Sequence, residues 1–235
     1  LETSLHRTLK AHYAFDPTQT EIRLGKYRID AIDEKGRLVE VQHAKLGAIR
    51  DKIADLLNEH TVRVVKPIVA NKWIVTLDPK KGTAVRRRRS PKRGCHLDIF
   101  TELLHFTRVF PHPRLILEAP LIDVEETRMP KAKRWRRSKP YQIVDQCVLN
   151  VGDSLWLTEA SDLFALANVP PATVFDTAML AAWLEKPRWF AQQAAYVLSH
   201  CGACVDAGKR GNNRLYQAAP TKGVKQPGKR RKRAA

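Results

Sequence analysis

The stretch YRIDAIDEKGRLVEVQHAK, residues 27–45, decides how the chain is read. Two segments of alternating polarity, Tyr27–Ile32 and Arg37–Gln42, flank Asp33-Glu34-Lys35-Gly36. Period-two alternation is the pattern of a strand with one buried face. A glycine closing a short polar insert supplies the left-handed backbone of a three-residue hairpin loop, so Glu34-Lys35-Gly36 is expected to be that loop. The loop pairs Asp33 with Arg37 and Ile32 with Leu38, and by extension Asp30 with Glu40. Ile29, Ala31, Val39 and Val41 then share the apolar face. Two carboxylates across a ladder, with Cβ atoms about 5 Å apart, repel each other. A divalent cation removes that repulsion, and carboxylate oxygens with water and phosphate suit Mg2+. The plainer alternative is that both acids face water on the open side of a sheet.

Upstream, Leu5, Leu9 and Tyr13 mark a helix over Ser4–Tyr13, ended by Asp16-Pro17, with a short strand around Glu21–Leu24. Downstream, Leu46, Ile49, Ile53, Leu56 and Leu57 mark a second helix, followed by β-rich segments at Val62–Val69 and Lys72–Leu77. The order is helix, three strands, helix, strand, with the second helix crossing over to a neighbouring strand.

With Asp30 on one strand and Glu40-Val41-Gln42 on the next, this order resembles the PD-(D/E)xK nuclease superfamily over about the first 80 residues. The resemblance implies an α/β, restriction-endonuclease-like mixed sheet with flanking helices. It implies that Asp30, Glu40 and the Val41 carbonyl hold Mg2+ or Mn2+, with Glu2 on the first helix as a further acid. Gln42 stands where that superfamily's lysine normally does, and glutamine carries no positive charge; some members use E-x-Q. Lys45 and Lys52 are candidate substitutes, set against simple surface solvation.

The chain of 235 residues carries 42 Lys+Arg against 24 Asp+Glu, net +18, which favours a polyanionic partner. The charge is blocked: +2 over residues 1–79, +11 over 80–140, −5 over 141–208 and +10 over 209–235. Arg86, Arg87, Arg88, Arg89, Lys92 and Arg93 read as a solvated loop that contacts phosphates without reading sequence. In the second cluster, Arg134, Trp135, Arg136 and Arg137, the indole either stacks on a base or packs onto the domain under arginine stems. Amphipathic helix is expected over Asp98–Phe110, and strands over Leu115–Val124 and Tyr141–Asn150.

Leu155–Ala167 is expected to be helical, ending at Val169-Pro170-Pro171-Ala172. Asp176 or Thr177 caps a helix running through Leu184. A tight Glu185-Lys186-Pro187 turn leads into a second helix, then a hairpin around Gly208–Asn213. Over residues 155–218 this resembles a small C-terminal winged helix-turn-helix domain. The resemblance implies a recognition face of Arg188, Gln192, Gln193 and Tyr196, and backbone contacts from Lys209, Arg210 and Arg214. A winged helix used for protein contact is the alternative, kept open by the net −5 of residues 141–208, most of which would repel DNA. Residues 219–235 read as a disordered basic tail.

The domain organisation expected is therefore a nuclease-like core (1–79), a basic extension completing it (80–150), the winged helix (155–218) and the tail. Cys201 and Cys204 form a lone C-x-x-C with no second pair for zinc, and four cysteines in this length suit a reducing, cytoplasmic setting. No apolar run approaches the ~18 residues of a membrane span. The function expected is a metal-dependent DNA endonuclease acting in repair or defence on duplex DNA. The alternative is an inactive DNA-binding or assembly protein on the same fold. Phosphate contacts alone admit RNA as well, and no feature points to an oligomer.

Overall fold

A computed structural model of the chain describes residues 3–16, 18–131 and 139–219. Helix α1 (Ser4–Tyr13) lays Leu5, Leu9 and Tyr13 across a mixed sheet. Strands β1 (Thr20–Leu24), β2 (Tyr27–Ile32) and β3 (Leu38–Val41) form an antiparallel meander on the sheet's flank. The hairpin closes as its sequence dictates. Asp33 N–H donates to the Arg37 carbonyl, Gly36 has φ +69°, and Ile32 pairs with Leu38 and Ala31 with Val39. Ala31, Val39 and Val41 are buried together under α1, whereas Ile29, expected on the same face, is buried with Leu38 in a separate cluster. The ladder ends there, one step short of Asp30 and Glu40, so these two are not the directly paired residues the register implies.

A 3-10 turn (Leu46–Ile49) and helix α2 (Arg50–Leu56) return the chain so that β4 (Val62–Val65) runs parallel to β3. Strands β4 and β5 (Ile68–Leu77) form one track, both parallel to β7 (Leu115–Pro130), interrupted at Lys66-Pro67. Proline has no N–H to give the ladder, which accounts for the break. On the track's other edge β3 flanks β4, while β6 (Ala84–Arg89) flanks β5. Strand β8 (Tyr141–Leu157) runs antiparallel along β7, with three register shifts.

Several expectations are corrected here. Arg86–Arg89 is not a loop but most of β6, pairing with Thr76, Val75, Ile74 and Trp73 of β5. An edge strand exposed on both faces needs no apolar alternation, and charge on it discourages further pairing. Strands β7 and β8 extend well past Val124 and Asn150, and residues 155–157 are strand, so the helix there, α4, spans only Ala160–Leu166. Irregularities along β8 had broken its alternation. The helix expected over Asp98–Phe110 is a 3-10 turn (His96–Asp98) and a short α3 (Ile99–Leu103), followed by turns that still bury Phe106 and Phe110.

After α4 come β9 (Val174–Phe175), α5 (Thr177–Leu184), α6 (Arg188–His200), β10 (Cys204–Arg210) and β11 (Asn213–Ala218). The three strands form a second sheet in the order β10-β11-β9. Asp176 caps α5 as expected, its Oδ1 accepting from the Ala178 and Met179 amides at 2.9 and 3.0 Å. Glu185 takes a left-handed conformation (φ +51°) to end the helix, and the Lys186 amide returns to the Ala181 carbonyl.

One buried cluster joins the sheet face bearing Val64 and Leu117 to α2, α3 and the C-terminal helices, with Phe100 and Phe190 edge to face at 6.5 Å. A second cluster under α1 covers the opposite face. Cys201 and Cys204 are buried, and burial pushes both thiols up to about 12. Among the described residues no helix is long and apolar enough to cross a membrane.

Candidate active site and basic face

Where β2 leaves β3, a side chain takes over from the backbone ladder: Asp30 Oδ2 accepts the Val41 N–H at 2.8 Å. His6 and Lys10 sit four residues apart on α1 and so project from one side of it. Lys10 Nζ lies 3.3 Å from Asp30 Oδ1 and 2.7 Å from Glu21 Oε1. His6 Nε2 lies 3.5 Å from Asp30 Oδ2 and 3.0 Å from the Val41 carbonyl oxygen. The Asp30 carboxylate and the Val41 carbonyl therefore both meet the His6 ring nitrogen. Glu21, whose carboxylate also meets Arg28, has φ +55°, a conformation that costs a non-glycine residue of order 1 kcal/mol.

Glu40 points to the α2 side. Lys52 Nζ donates to Glu40 Oε2 at 2.6 Å and to the Arg28 carbonyl at 2.6 Å. Lys52 is therefore not the surface solvator that its place on an amphipathic helix suggests; its side chain is 19% exposed. Lys45 is exposed, and its carbonyl accepts the Gln42 side-chain amide at 3.0 Å, so Gln42 fastens the start of the 3-10 turn.

The electrostatics separate the two acids. Burial pushes both carboxyls upward. At Asp30 that effect is outweighed by hydrogen bonds from His6 and the Val41 amide and by the charges of His6 and Lys10, which hold its pKa below the ordinary value. At Glu40 burial and the neighbouring Asp30 charge prevail over Lys52, and its pKa is raised. His6 is raised in turn, chiefly by its hydrogen bond to Asp30. The mutual influence of Asp30, Glu40 and His6 places all three in one electrostatic cluster.

Beyond Gln42 the chain passes a buried lysine. Lys66, at the break between β4 and β5, donates to the His43 and Ala44 carbonyls at 2.9 and 2.6 Å and lies 3.4 Å from Glu102. It ties the loop after Glu40-Val41-Gln42 to α3. Burial lowers its pKa, against the pull of Glu102.

The arginines of β6 are all exposed and alternate across the strand. Arg87 and Arg89 lie over Trp73, at 5.6 and 5.5 Å from its ring centre, and Arg87 pairs with Glu125 at 2.7 Å. Arg86 and Arg88 turn to the other face. Lys92 and Arg93 are exposed just beyond, with Arg93 on the Ser90 carbonyl. On α6, Arg188, Gln192 and Tyr196 are exposed. Gln193 is half-buried against Thr101 of α3 at 3.5 Å, so the expected recognition face is only partly open. Arg188 meets Asn213 at 3.2 Å, and Tyr196 stacks on His200 at 3.8 Å. In the hairpin Lys209 is exposed, Arg210 pairs with Asp176 at 3.1 Å and Arg214 with Asp206 at 3.4 Å. Glu2, Arg134, Trp135, Arg136, Arg137 and residues 220–235 lie outside the described residues.

The sequence reading missed His6, Lys10 and Lys66. The signal for the first two was available: they form a polar i,i+4 pair beside the Leu5/Leu9 stripe. Nothing in the local sequence marks Lys66 as buried. Among the described residues, no group of three or more His, Cys, Asp and Glu side chains is disposed to hold a metal ion.

The family described as "Domain of unknown function (DUF8091)" matches residues 3–158, which takes in the whole large sheet and α1 to α3. An uncharacterized protein of Treponema pallidum (strain Nichols) is 28% identical over 221 residues, spanning 93% of this chain and 86% of that protein. No solved structure matches the chain.

Proposed function

We propose that this chain, which belongs to the DUF8091 family, is a metal-dependent DNA endonuclease of the PD-(D/E)xK kind, with a restriction-endonuclease-like core carried onto DNA by a winged-helix unit. The observation that carries the reading is the meeting of the Asp30 carboxylate and the Val41 carbonyl at the His6 ring nitrogen, with Glu40 in the same electrostatic cluster. The connectivity supports it: a helix, an antiparallel three-strand meander, a crossover helix and a fourth strand parallel to the third. The order α4, β9, α5, α6 and a hairpin, with β11 central in its sheet, supports the winged-helix part.

Two carboxylates and a backbone carbonyl make an all-oxygen donor set, which suits Mg2+ or Mn2+. Asp30, Glu40 and Val41 are the residues that would hold the ion. When bound, it polarises the phosphate and lowers the pKa of a water molecule. The chain supplies the rest. Lys52 puts beside Glu40 the positive charge that Gln42 lacks, positioned to offset negative charge building on the phosphodiester oxygens. His6 and Lys10 orient Asp30, and the arginines of β6 grip phosphates away from the cut.

A second reading, a DNA-binding protein that does not cut, is favoured by one observation. Lys10 and Lys52 already neutralise the two acids, with the His6 ring also on Asp30. Supercoiled plasmid with Mg2+ or Mn2+ separates the two. Nicking that is lost in Asp30→Ala and in Glu40→Ala is expected of the nuclease. Cutting unchanged by either substitution would sink the site assignment. DNA binding with no cutting under either metal would favour the second reading.

A further inference from the structure

A cleft of about 530 Å³ opens between the sheet and the start of α6, beside the loop that follows Glu40-Val41-Gln42. Its floor is formed by His43 and Lys66, and Thr101 and Glu102 of α3 add polar groups to its wall. Lys92 and Arg93 stand at its rim, both exposed. Trp189 stands opposite, 58% exposed, in the first turn of α6. An indole left this open on a helix otherwise anchored by Phe190 forfeits apolar burial, yet it is not loose. Phe190 holds it edge to face at 5.8 Å, and Phe190 in turn packs on Phe100 in the core.

We propose that this cleft takes an unpaired nucleotide of DNA, with its base stacked on Trp189 and its phosphates held by Lys92 and Arg93. The chemistry is that of single-strand recognition: an aromatic plane accepts any base face, and flanking cations follow the backbone. Paired bases cannot present a face to a side chain, so the cleft selects strands that are single or locally opened. Thr101, Glu102 and His43 line the same cleft and make the surroundings of a base lodged there polar. His43, which lines the cleft, follows Glu40-Val41-Gln42 directly in the chain, so one loop connects the cleft to the candidate cutting centre. The proposal rests on the nuclease reading for its choice of DNA. It goes beyond that reading by naming the substrate as a junction or end with unpaired nucleotides rather than uniform duplex.

The test is fluorescence anisotropy with two labelled probes, a mixed-sequence single-stranded oligodeoxynucleotide and the same sequence as a blunt duplex. Full-length wild type is compared with Trp189→Ala and Trp189→Phe. Loss of one stacked base weakens single-strand binding by roughly tenfold. Duplex binding changes less than twofold, and Trp189→Phe recovers most of the single-strand affinity. The indole is largely exposed, so the alanine variant folds, and near-ultraviolet circular dichroism checks that it does. Equal weakening on both probes, or no weakening on either, overturns the proposal while leaving the nuclease reading standing. Wild type that binds neither probe overturns both.

Discussion

Removing Lys52 tests whether the candidate site is a coupled electrostatic unit or a set of incidental neighbours. Its ammonium sits 2.6 Å from Glu40 Oε2, on a carboxylate whose side chain is 11% exposed. At an effective dielectric of about 20, two unit charges at that separation attract by roughly 6 kcal/mol before desolvation is counted. Desolvation returns much of this, and a charge-assisted hydrogen bond of this kind nets about 2–3 kcal/mol. Lys52→Met leaves Glu40 buried beside Asp30 with no counter-charge, so it is expected to destabilise by about 2–3 kcal/mol at pH 7. Glu40→Gln in the same chain removes the stranded charge, so the double variant should be less than additively damaged, with a coupling near 2 kcal/mol. Acidity gives an independent check. Glu40 already has a raised pKa, so the folded protein binds its proton more readily than the unfolded chain does. That contribution to stability is fully present below the ordinary glutamate pKa and is lost as pH rises through the folded value. Lys52→Met raises the folded value further, so its penalty should grow with rising pH and shrink toward pH 4. Urea unfolding of the four proteins at pH 7 and pH 4 measures both. A coupling below about 0.5 kcal/mol at pH 7, or a penalty independent of pH, would refute the reasoning.

Other expectations follow from the same geometry. Arg63 lies between the rings of Tyr13 (4.7 Å) and Trp156 (4.8 Å) and pairs at 2.6 Å with the buried Glu118. Arg63→Met should cost about 3 kcal/mol in chemical denaturation by stranding that carboxylate, and a loss below about 1 kcal/mol would contradict the account. Asp176→Ala removes the α5 cap and the hairpin's ion pair, for a loss of about 1 kcal/mol read in thermal melts. Hydrogen bonds from the Met179 and Ala178 amides hold the Asp176 pKa below its ordinary value. The cap's contribution is therefore present above the ordinary aspartate pKa and lost as pH falls through the folded one, so wild type and variant should converge in acid. If β6 grips phosphates, replacing Arg86 and Arg88 by alanine lowers the slope of log affinity against log salt by roughly 2, and an unchanged slope assigns them no such contact.

What the sequence disclosed and what it hid have separable causes. The α1 stripe, the Gly36 hairpin and the Asp176 cap were legible because each is set by residues within a few positions of one another. The Asp30–Val41 contact was only half legible. Alternation gave the strand faces, but where a ladder stops depends on the neighbours that pull a strand away. Lys52 and Lys66 were opaque, because a lysine on an amphipathic element looks solvated until a carboxylate or carbonyl from elsewhere is brought to it. The arginines of β6 were misread for a related reason. Charge density argued for a loop, whereas an edge position tolerates it.

The register shifts of β8 bear on how the protein behaves in a crowd of its own copies. Among the described residues this strand of 17 residues has one edge unpaired in the sheet, and Ile143, Val144 and Leu149 are exposed along it. A straight strand of that length and character would be a template for intermolecular β-pairing. Val144 and Leu149 are themselves surplus residues at two of the shifts, so each interrupts the row of free amides and carbonyls just where an incoming strand would need it continuous. Deleting both would straighten the edge, and light scattering should report more self-association for the shortened protein than for the natural chain.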